Sequence, residues 1–375
     1  MFKKIIVTKD ALHGTKKLHP LVPTSMEWDC EMLSALLLTG ILTTPIHAKA
    51  FSLAQFWPWM RYLPALENAP GLRLRSEWTD LDSHQKTLLS DDFGLGLTSY
   101  FLVDKCDFTH FGDTTRVLAT VLSGFATLAK DPKKKGPAKS PDFIALDASG
   151  NLHVLECKGS QDSLTKLSES IANGIQQKNN ISNCSPNLFL SSMVGGIFVP
   201  QFASSEPARI IFADPIPEEL KQLEEVNPDI IATSIRRDFF SRCLTFAGLQ
   251  TTGRIISINN ATEREIAKLQ NQTEFEESGF LDSETFLEKS VTRFFDEDGP
   301  GRERTKLTFT IRIKNEVRDV LANTAKPEGK LETEALDHFL RERHGKWAQH
   351  RWPDDLGMVV TLPFGMEFEL KEEPS

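Results

Sequence analysis

Two carboxylates and one lysine lie at the ends of two short segments that the sequence predicts to form a β-hairpin. Asp142 is the second residue of the segment PDFIALD, while Glu156 and Lys158 close the segment LHVLECK. The four residues between these segments, ASGN, have the length and composition of a hairpin turn. The hairpin would therefore bring Asp142 beside Glu156, where two carboxylates repel each other unless a cation or a proton lies between them.

Side chains alternate along a strand, so Glu156 and Lys158 share one face and Cys157 points to the other. Apolar residues occur on both faces of the segment, which predicts a central strand that is covered on both sides. A hard divalent ion such as Mg²⁺ fits the two carboxylates, and Lys158 would then face a metal-bound water or a phosphate oxygen. His153 and the thiol of Cys157 are interpreted as core residues, because a buried thiol is a poor nucleophile.

The segment PDFIALDASGNLHVLECKG resembles the PD-(D/E)xK motif of the restriction-endonuclease-like nuclease superfamily. The resemblance covers about residues 86–215 and implies an α/β fold with a mixed central sheet flanked by helices. It implies that Asp142 and Glu156 bind Mg²⁺ or Mn²⁺, with the main-chain carbonyl of Cys157 as a third ligand. Lys158 would activate the attacking water or stabilise the pentavalent transition state.

The same family often places a glutamine on the next helix and an acid on the first helix of the core. This chain offers Gln176 or Gln177 for the glutamine, and Gln177 is taken as the candidate catalytic residue. For the acid it offers Asp91 or Asp92, with Asp92 as the candidate metal ligand. The alternatives are that the glutamines lie on the helix surface and that the two aspartates cap a helix beginning near residue 91.

A lysine-rich loop leads directly into Asp142 and is a candidate for contacts with the phosphate backbone of a nucleic acid. A solvated turn is the alternative. The lysines are Lys130, Lys133, Lys134, Lys135 and Lys139.

The pattern P-D…E-x-K occurs a second time, at Asp354, Glu369 and Lys371. Pro363 interrupts the first strand of this copy, and too few residues follow Lys371 to complete the helix and strands of a nuclease core. The second copy is therefore interpreted as a coincidence.

The chain is predicted to be an α/β protein with a restriction-endonuclease-like core and additions on both sides. Residues 1–85 are predicted to be a mostly helical N-terminal region, and residues 86–258 the nuclease domain. Within the latter, residues 115–122 and 252–258 are interpreted as strands. Residues 259–301 form a predicted acidic connector, and residues 302–375 a C-terminal α+β region.

The overall charge excludes a protein that coats nucleic acid by bulk attraction, since 43 basic residues oppose 52 acidic ones. The acidity is concentrated in the connector, where 11 acidic residues face four basic ones, so a local basic patch elsewhere remains possible. Five scattered cysteines without a C-x-x-C spacing favour reduced thiols over a disulfide or zinc framework. The apolar residues 32–46 are too few for a membrane span and predict a buried helix, and we expect a cytoplasmic protein without a membrane partner.

The predicted function is that of a Mg²⁺-dependent endonuclease that cuts DNA in restriction or anti-phage defence. Cutting of both strands favours a homodimer or a larger oligomer, and partner proteins of a defence system are possible. Two alternatives stay open. The first is that the chain has the same fold but is a non-catalytic binding or assembly subunit of a defence complex. The second is that it is a nuclease that acts on RNA.

Overall fold

The computed structural model describes residues 1–12, 18–44, 57–118, 127–128, 139–178, 181–182, 188–214, 227–258, 261–296, 304–326, 331–343, 347–351 and 357–374. The chain divides into two compact units. The first comprises Met1–Thr43 and Pro58–Phe239, and the second comprises Thr44–Trp57 and Phe240–Ser375.

The described strands of the first unit include a mixed seven-stranded sheet. Its strands are β1 (Phe2–Lys9), β2 (Ser25–Glu31), β3 (Phe108–Asp113), β5 (Phe143–Asp147), β6 (Leu152–Ser160), β8 (Ser191–Phe198) and β9 (Arg209–Ala213). They follow the order β2-β1-β9-β8-β6-β5-β3, in which β6 is parallel to β8 and β1 is parallel to β9. Two short strands, β4 (Thr127–Leu128) and β7 (Ile181–Ser182), pair separately.

Helices flank this sheet, as the sequence predicts for an α/β fold. They are α1 (Met32–Thr43), α2 (Trp57–Tyr62), α3 (Ser83–Cys106), α4 (Thr114–Val117) and α5 (Leu164–Lys178), and α6 spans Pro228–Phe246. The predicted buried helix within residues 32–46 is confirmed by α1, in which Leu36, Leu37, Leu38 and Leu42 are buried. The connection from β6 through α5 to the parallel strand β8 is a β-α-β unit.

Helix α3 begins eight residues before the predicted start. The carboxylate of Asp82 accepts the backbone N–H groups of His84 and Gln85, at 2.8 and 3.1 Å, and so caps the helix. Asp91 and Asp92 consequently lie in the helix interior, and the interpretation that they cap the helix is wrong. Helix α3 lies directly on β6, since a Cβ atom on Gly94 would come within 2.9 Å of the backbone nitrogen of Gly159.

Three predictions of secondary structure are wrong. Residues 1–85 are not mostly helical, because β1 and β2 precede α1. In the described part of the strand predicted for residues 115–122, helix α4 occupies the chain up to Val117, and Asp113 caps it by accepting the N–H of Arg116 at 3.1 Å. The strand predicted for residues 252–258 belongs to helix α7 (Gln250–Ile258), where Glu274 accepts the backbone N–H groups of Thr251 and Thr252 at 2.6 and 2.7 Å.

The second unit contains a six-stranded antiparallel sheet in the order β10-β11-β12-β15-β14-β13. Its strands are β10 (Leu281–Asp282), β11 (Phe286–Asp296), β12 (Arg304–Lys314), β13 (Ala348–Arg351), β14 (Gly357–Thr361) and β15 (Met366–Pro374). The accompanying helices are α7, α8 (Glu263–Gln270), α9 (Thr273–Glu277), α10 (Asn315–Thr324) and α11 (Glu334–Glu342).

The acidic residues 259–301 are not a mere connector. Their described part forms α8, α9, β10 and β11, and β11 pairs with β12 from Phe286 to Asp296. Strands β14 and β15 form an antiparallel hairpin that pairs from Gly357↔Lys371 to Thr361↔Glu367.

Candidate active site

The hairpin of β5 and β6 brings together the carboxylates predicted from the sequence. The two strands pair from Leu146↔Leu152 to Phe143↔Leu155. Beyond the last pair, the two strands are joined by hydrogen bonds between backbone N–H groups and carboxylate side chains. The N–H of Asp142 donates to Glu156 Oε2 at 3.1 Å, and the N–H of Cys157 donates to Asp142 Oδ2 at 2.7 Å.

Lys158 completes the predicted group of three. Its Nζ donates a hydrogen bond to Glu156 Oε1 and forms an ion pair with that carboxylate. The side chain of Glu156 is 1% exposed, whereas that of Lys158 is 23% exposed. Glu156 is therefore fixed inside the protein, and the ammonium group lies between it and the solvent.

Helix α5 covers these two side chains at Gly174. A Cβ atom on Gly174 would lie 3.2 Å from Glu156 Cγ, 3.3 Å from Lys158 Cε and 2.8 Å from Val194 Cγ1. The absence of a side chain at this position lets the helix approach the sheet closely. Helix α5 therefore packs directly on the side chains of Glu156 and Lys158, which extend from β6.

Full ionisation of both carboxylates would leave a negative charge that Lys158 alone does not balance. Burial first, and the negative charge of Asp142 second, raise the pKa of Glu156 to about 8. Burial also raises the pKa of Asp142 to about 6, with Asp91 and Asp113 contributing and the Cys157 N–H and Lys158 opposing. A cation in this group would remove part of the penalty for holding both carboxylates ionised.

Of the two aspartates on α3, Asp91 is the one that lies close enough to interact with Asp142 and Lys158. Asp91 interacts electrostatically with Lys158 and Asp142. Asp92 instead accepts a hydrogen bond from the hydroxyl of Tyr62. Successive residues of a helix point about 100° apart, so the two carboxylates have different surroundings. The prediction that Asp92 is the metal ligand is not supported by this placement.

The two glutamines of α5 differ in exposure. Gln176 is exposed, while Gln177 is half-buried and lies three residues after Gly174, on the same side of the helix. The structure contains no hydrogen bond between Gln177 and the side chains of Asp142, Glu156 or Lys158. A positioning role for Gln177 remains a prediction.

The proposed contacts with nucleic acid lie mostly outside the described residues, because this is where Lys130, Lys133, Lys134 and Lys135 fall. Lys139 is described and exposed, three residues before Asp142.

The thiol of Cys157 is buried, and this burial raises its pKa well above the ordinary value of a cysteine. The interpretation as a core residue is therefore confirmed. Its carbonyl as a metal ligand stays a prediction.

Two features were missed by the sequence analysis. Asp113, at the end of β3, contributes to the raised pKa of Asp142, but no local motif marks it. The second feature is a buried group at the turn end of the hairpin, where ligand atoms of His19, Asp147 and His153 lie within 4.8 Å of one another and could hold a metal ion. The separation of His19 from the other two in the sequence conceals this group.

The second copy of the motif is paired differently. Glu369 lies 2.6 Å from Arg312 Nη2, Lys371 pairs with Glu373, and Asp354 lies outside the described residues.

Models of known protein families, curated proteins and solved structures were compared with this chain, and none of them matches it. Among the helices of the described ranges, none has the length and apolar character required to cross a membrane.

Proposed function

We propose that this chain is a metal-dependent nuclease that hydrolyses phosphodiester bonds of DNA. The observation that carries the proposal is the interlocked arrangement of Asp142, Glu156 and Lys158 at one end of the β5–β6 hairpin. Each carboxylate accepts a backbone N–H group from the other strand of the hairpin, Lys158 pairs with Glu156, and α5 packs on the side chains of Glu156 and Lys158. A purely structural Glu–Lys pair would not require the second carboxylate.

The donor set fits Mg²⁺ or Mn²⁺. Asp142 and Glu156 supply hard oxygen ligands, and Asp91 and Asp113 add negative charge nearby. The bound ion would lower the pKa of a water molecule and offset charge on the scissile phosphate. Asp142 and Glu156 would hold the ion, and the carbonyl of Cys157 is a further candidate ligand.

Lys158 would orient the reacting groups. Its ammonium is partly exposed and tethered to Glu156, so it can donate to a water or to a phosphate oxygen without leaving the group. Stabilisation of developing negative charge by one such donor contributes about 3–4 kcal/mol to lowering the barrier. Gln177, on the covering helix, is the candidate for positioning the water.

The order of elements supports a restriction-endonuclease-like core. Helix α3, strand β3, the hairpin β5–β6, helix α5 and strands β8 and β9 follow one another in the order that the resemblance implies. Such a core in a bacterial defence protein would cut both DNA strands as a homodimer or larger oligomer, with partner proteins where the system requires them.

Incubation of the purified protein with plasmid DNA and Mg²⁺ or Mn²⁺ tests the proposal. We expect cleavage that a chelator abolishes and that is lost in Glu156→Gln and Lys158→Ala. Lys371→Ala is the matched control, because it removes the lysine of the second Glu-x-Lys segment. Undiminished cleavage by both variants of the first segment would contradict the proposal.

Two alternatives are separated by further arms of the experiment. Cleavage of RNA but not of DNA would identify an RNA nuclease. Absence of cleavage together with no calorimetric binding of Mg²⁺ or Mn²⁺ would identify a non-catalytic binding or assembly subunit.

A further inference from the structure

The turn end of the β5–β6 hairpin holds a second group of potential ligands, remote from Asp142. Asp147 ends β5, His153 is the second residue of β6, and His19 lies between β1 and β2. Asp142 and Asp147 are five positions apart along an extended strand, which separates them by about 17 Å. The group is thus distinct from the carboxylates of the proposed nuclease site.

All three side chains of this group are buried, with 6% exposure for His19, 7% for Asp147 and none for His153. Their rings and carboxylate converge on one point. Asp147 Oδ2 lies 3.3 Å from His153 Nε2 and 3.8 Å from His19 Nε2. The first contact is a hydrogen bond slightly longer than the usual range of about 2.7–3.2 Å, and the second is too long for a hydrogen bond.

The shorter separation also equals the distance between neighbouring donor atoms around a bound metal ion. Zn²⁺ binds histidine nitrogen and carboxylate oxygen at about 2.0–2.2 Å in tetrahedral geometry, so neighbouring donor atoms lie about 3.3–3.5 Å apart. A small inward movement of His19 would bring the longer distance into this range. Imidazole nitrogen favours zinc and its neighbours among the transition metals over Mg²⁺.

The surrounding hydrogen bonds orient two of the three side chains, those of Asp147 and His153. The backbone N–H groups of Ser149 and Asn151 donate to Asp147 Oδ1, both at 2.9 Å, and Asn151 Nδ2 donates to Asp147 Oδ2 at 2.8 Å. His153 Nδ1 lies 2.7 Å from Ser191 Oγ, which leaves Nε2 for a metal. Ligating histidines generally hydrogen-bond through the other ring nitrogen in this way.

Metal binding would require His19 to give up one hydrogen bond. Its Nδ1 accepts the N–H of Leu21 at 3.3 Å, near the long limit for a hydrogen bond. Binding of a metal at Nε2 places the proton on Nδ1, so this long contact would be replaced by a bond from Nε2 to the metal.

We propose that His19, Asp147 and His153 form a Zn²⁺ site that fastens the turn end of the hairpin to the segment before β2. Nε2 of each histidine and one carboxylate oxygen are the protein ligands, and a water molecule takes the fourth position. The burial of all three side chains excludes a large substrate, so the ion has a structural role. It fixes the hairpin whose opposite end carries Asp142 and Glu156. The proposal does not depend on nuclease activity.

Metal analysis of the full-length protein by mass spectrometry is the first test. We expect about one zinc per chain in the wild type and in Glu156→Gln, and loss of at least 90% of it in His19→Gln and His153→Gln. His110→Gln is the matched control, because His110 is equally buried, at 1% exposure, but lies outside the group. Wild-type zinc content in both ligand variants would overturn the proposal.

Cobalt substitution tests the site without any variant. Co²⁺ added to the chelator-treated wild type should produce the strong visible absorption bands of tetrahedral coordination, and an equivalent of Zn²⁺ should abolish them. Mg²⁺ should leave them unchanged. Absence of both co-purified zinc and cobalt bands would identify the group as an Asp–His hydrogen-bond network and overturn the proposal.

Discussion

Two segments, one in each compact unit, have the same Glu-x-Lys pattern but different surroundings. Glu156 pairs with Lys158 and accepts the backbone N–H of Asp142, whose carboxylate helps to raise the pKa of Glu156. Glu369, which is also buried at 7% exposure, lies against the guanidinium of Arg312. Burial alone therefore does not distinguish the two segments, whereas the partners of the glutamate do.

The partners determine what each segment can do. Arg312 has five N–H donors and contacts Glu288 and Glu367 as well as Glu369, so its guanidinium joins three strands of the sheet. The group around Glu156 instead retains negative charge that a divalent ion would offset. A motif read from the sequence becomes informative once the neighbours of its charged groups are known.

The largest expected difference between the two segments concerns cleavage. Under the proposed function, Lys158→Ala should lower the rate of DNA cleavage by about 10²–10³-fold, because a donor to the reacting groups is lost. Lys371→Ala should change the rate less than twofold, since its ammonium pairs with Glu373 at the surface. Rates measured with a fluorescent duplex and Mg²⁺ test this, with circular dichroism as the folding control. Equal losses in both variants would contradict the distinction.

The cover over the first segment gives the next largest effect. Gly174→Ala places a methyl group 2.8 Å from Val194 Cγ1 and 3.2 Å from Glu156 Cγ, which should cost about 1–3 kcal/mol of unfolding free energy. Asn173→Ala, at the exposed neighbouring position, is the control and should change the stability little. Urea unfolding measures both. An unchanged midpoint for Gly174→Ala would show that α5 does not press on Glu156.

The charge of Glu156 predicts a dependence of stability on pH. Its pKa is about 8 in the folded protein, against an ordinary value near 4.5, so the folded state binds more protons between these limits. Stability should therefore fall as the pH rises from about 4.5 to 8. In Glu156→Gln this part of the decrease should disappear.

Thermal unfolding in a chelating buffer measures the dependence. Addition of Mg²⁺ or Mn²⁺ at pH 8 should raise the melting temperature of the wild type but not that of Glu156→Gln, because the ion binds the ionised carboxylate. Identical pH profiles of the two proteins would contradict the charge imbalance.

The smallest effect is expected in the second segment. Glu369→Gln leaves Arg312 its contacts with Glu288 and Glu367 and keeps an amide oxygen that can accept from the guanidinium, so the loss of unfolding free energy should not exceed about 1 kcal/mol. Cleavage should be unchanged. A larger loss, measured by urea unfolding, would mean that Glu369 is the principal partner of Arg312.

Local patterns sufficed for the elements that carry the candidate site. The short apolar segments PDFIALD and LHVLECK and the turn between them predicted the β5–β6 hairpin, and the resemblance predicted a helix after it, which is α5. The prediction failed where distant residues decide. Residues 252–258 are rich in β-branched side chains, yet they form α7, at whose start Glu274 accepts two backbone N–H groups.

The candidate site was likewise predictable where one local segment carries its residues, and not where distant residues contribute. Asp142, Glu156 and Lys158 come together because one hairpin carries all three. Asp91 and Asp92 could not be distinguished, because the start of α3 depends on Asp82. The group of His19, Asp147 and His153 was not predicted, since His19 reaches the hairpin through the fold rather than through a spacing in the sequence.

Strand β1 has a consequence for how the first unit folds during synthesis. It lies between β2 and β9, and Thr8 pairs with Ile211. A ribosome that adds about 5–20 residues per second needs about 10–40 s to span this interval. Until β9 emerges, β1 and β8 each lack the strand that joins them, and unpaired strand edges promote aggregation. Nascent chains that stop before residue 209 should therefore be the form of this protein that depends most on chaperones.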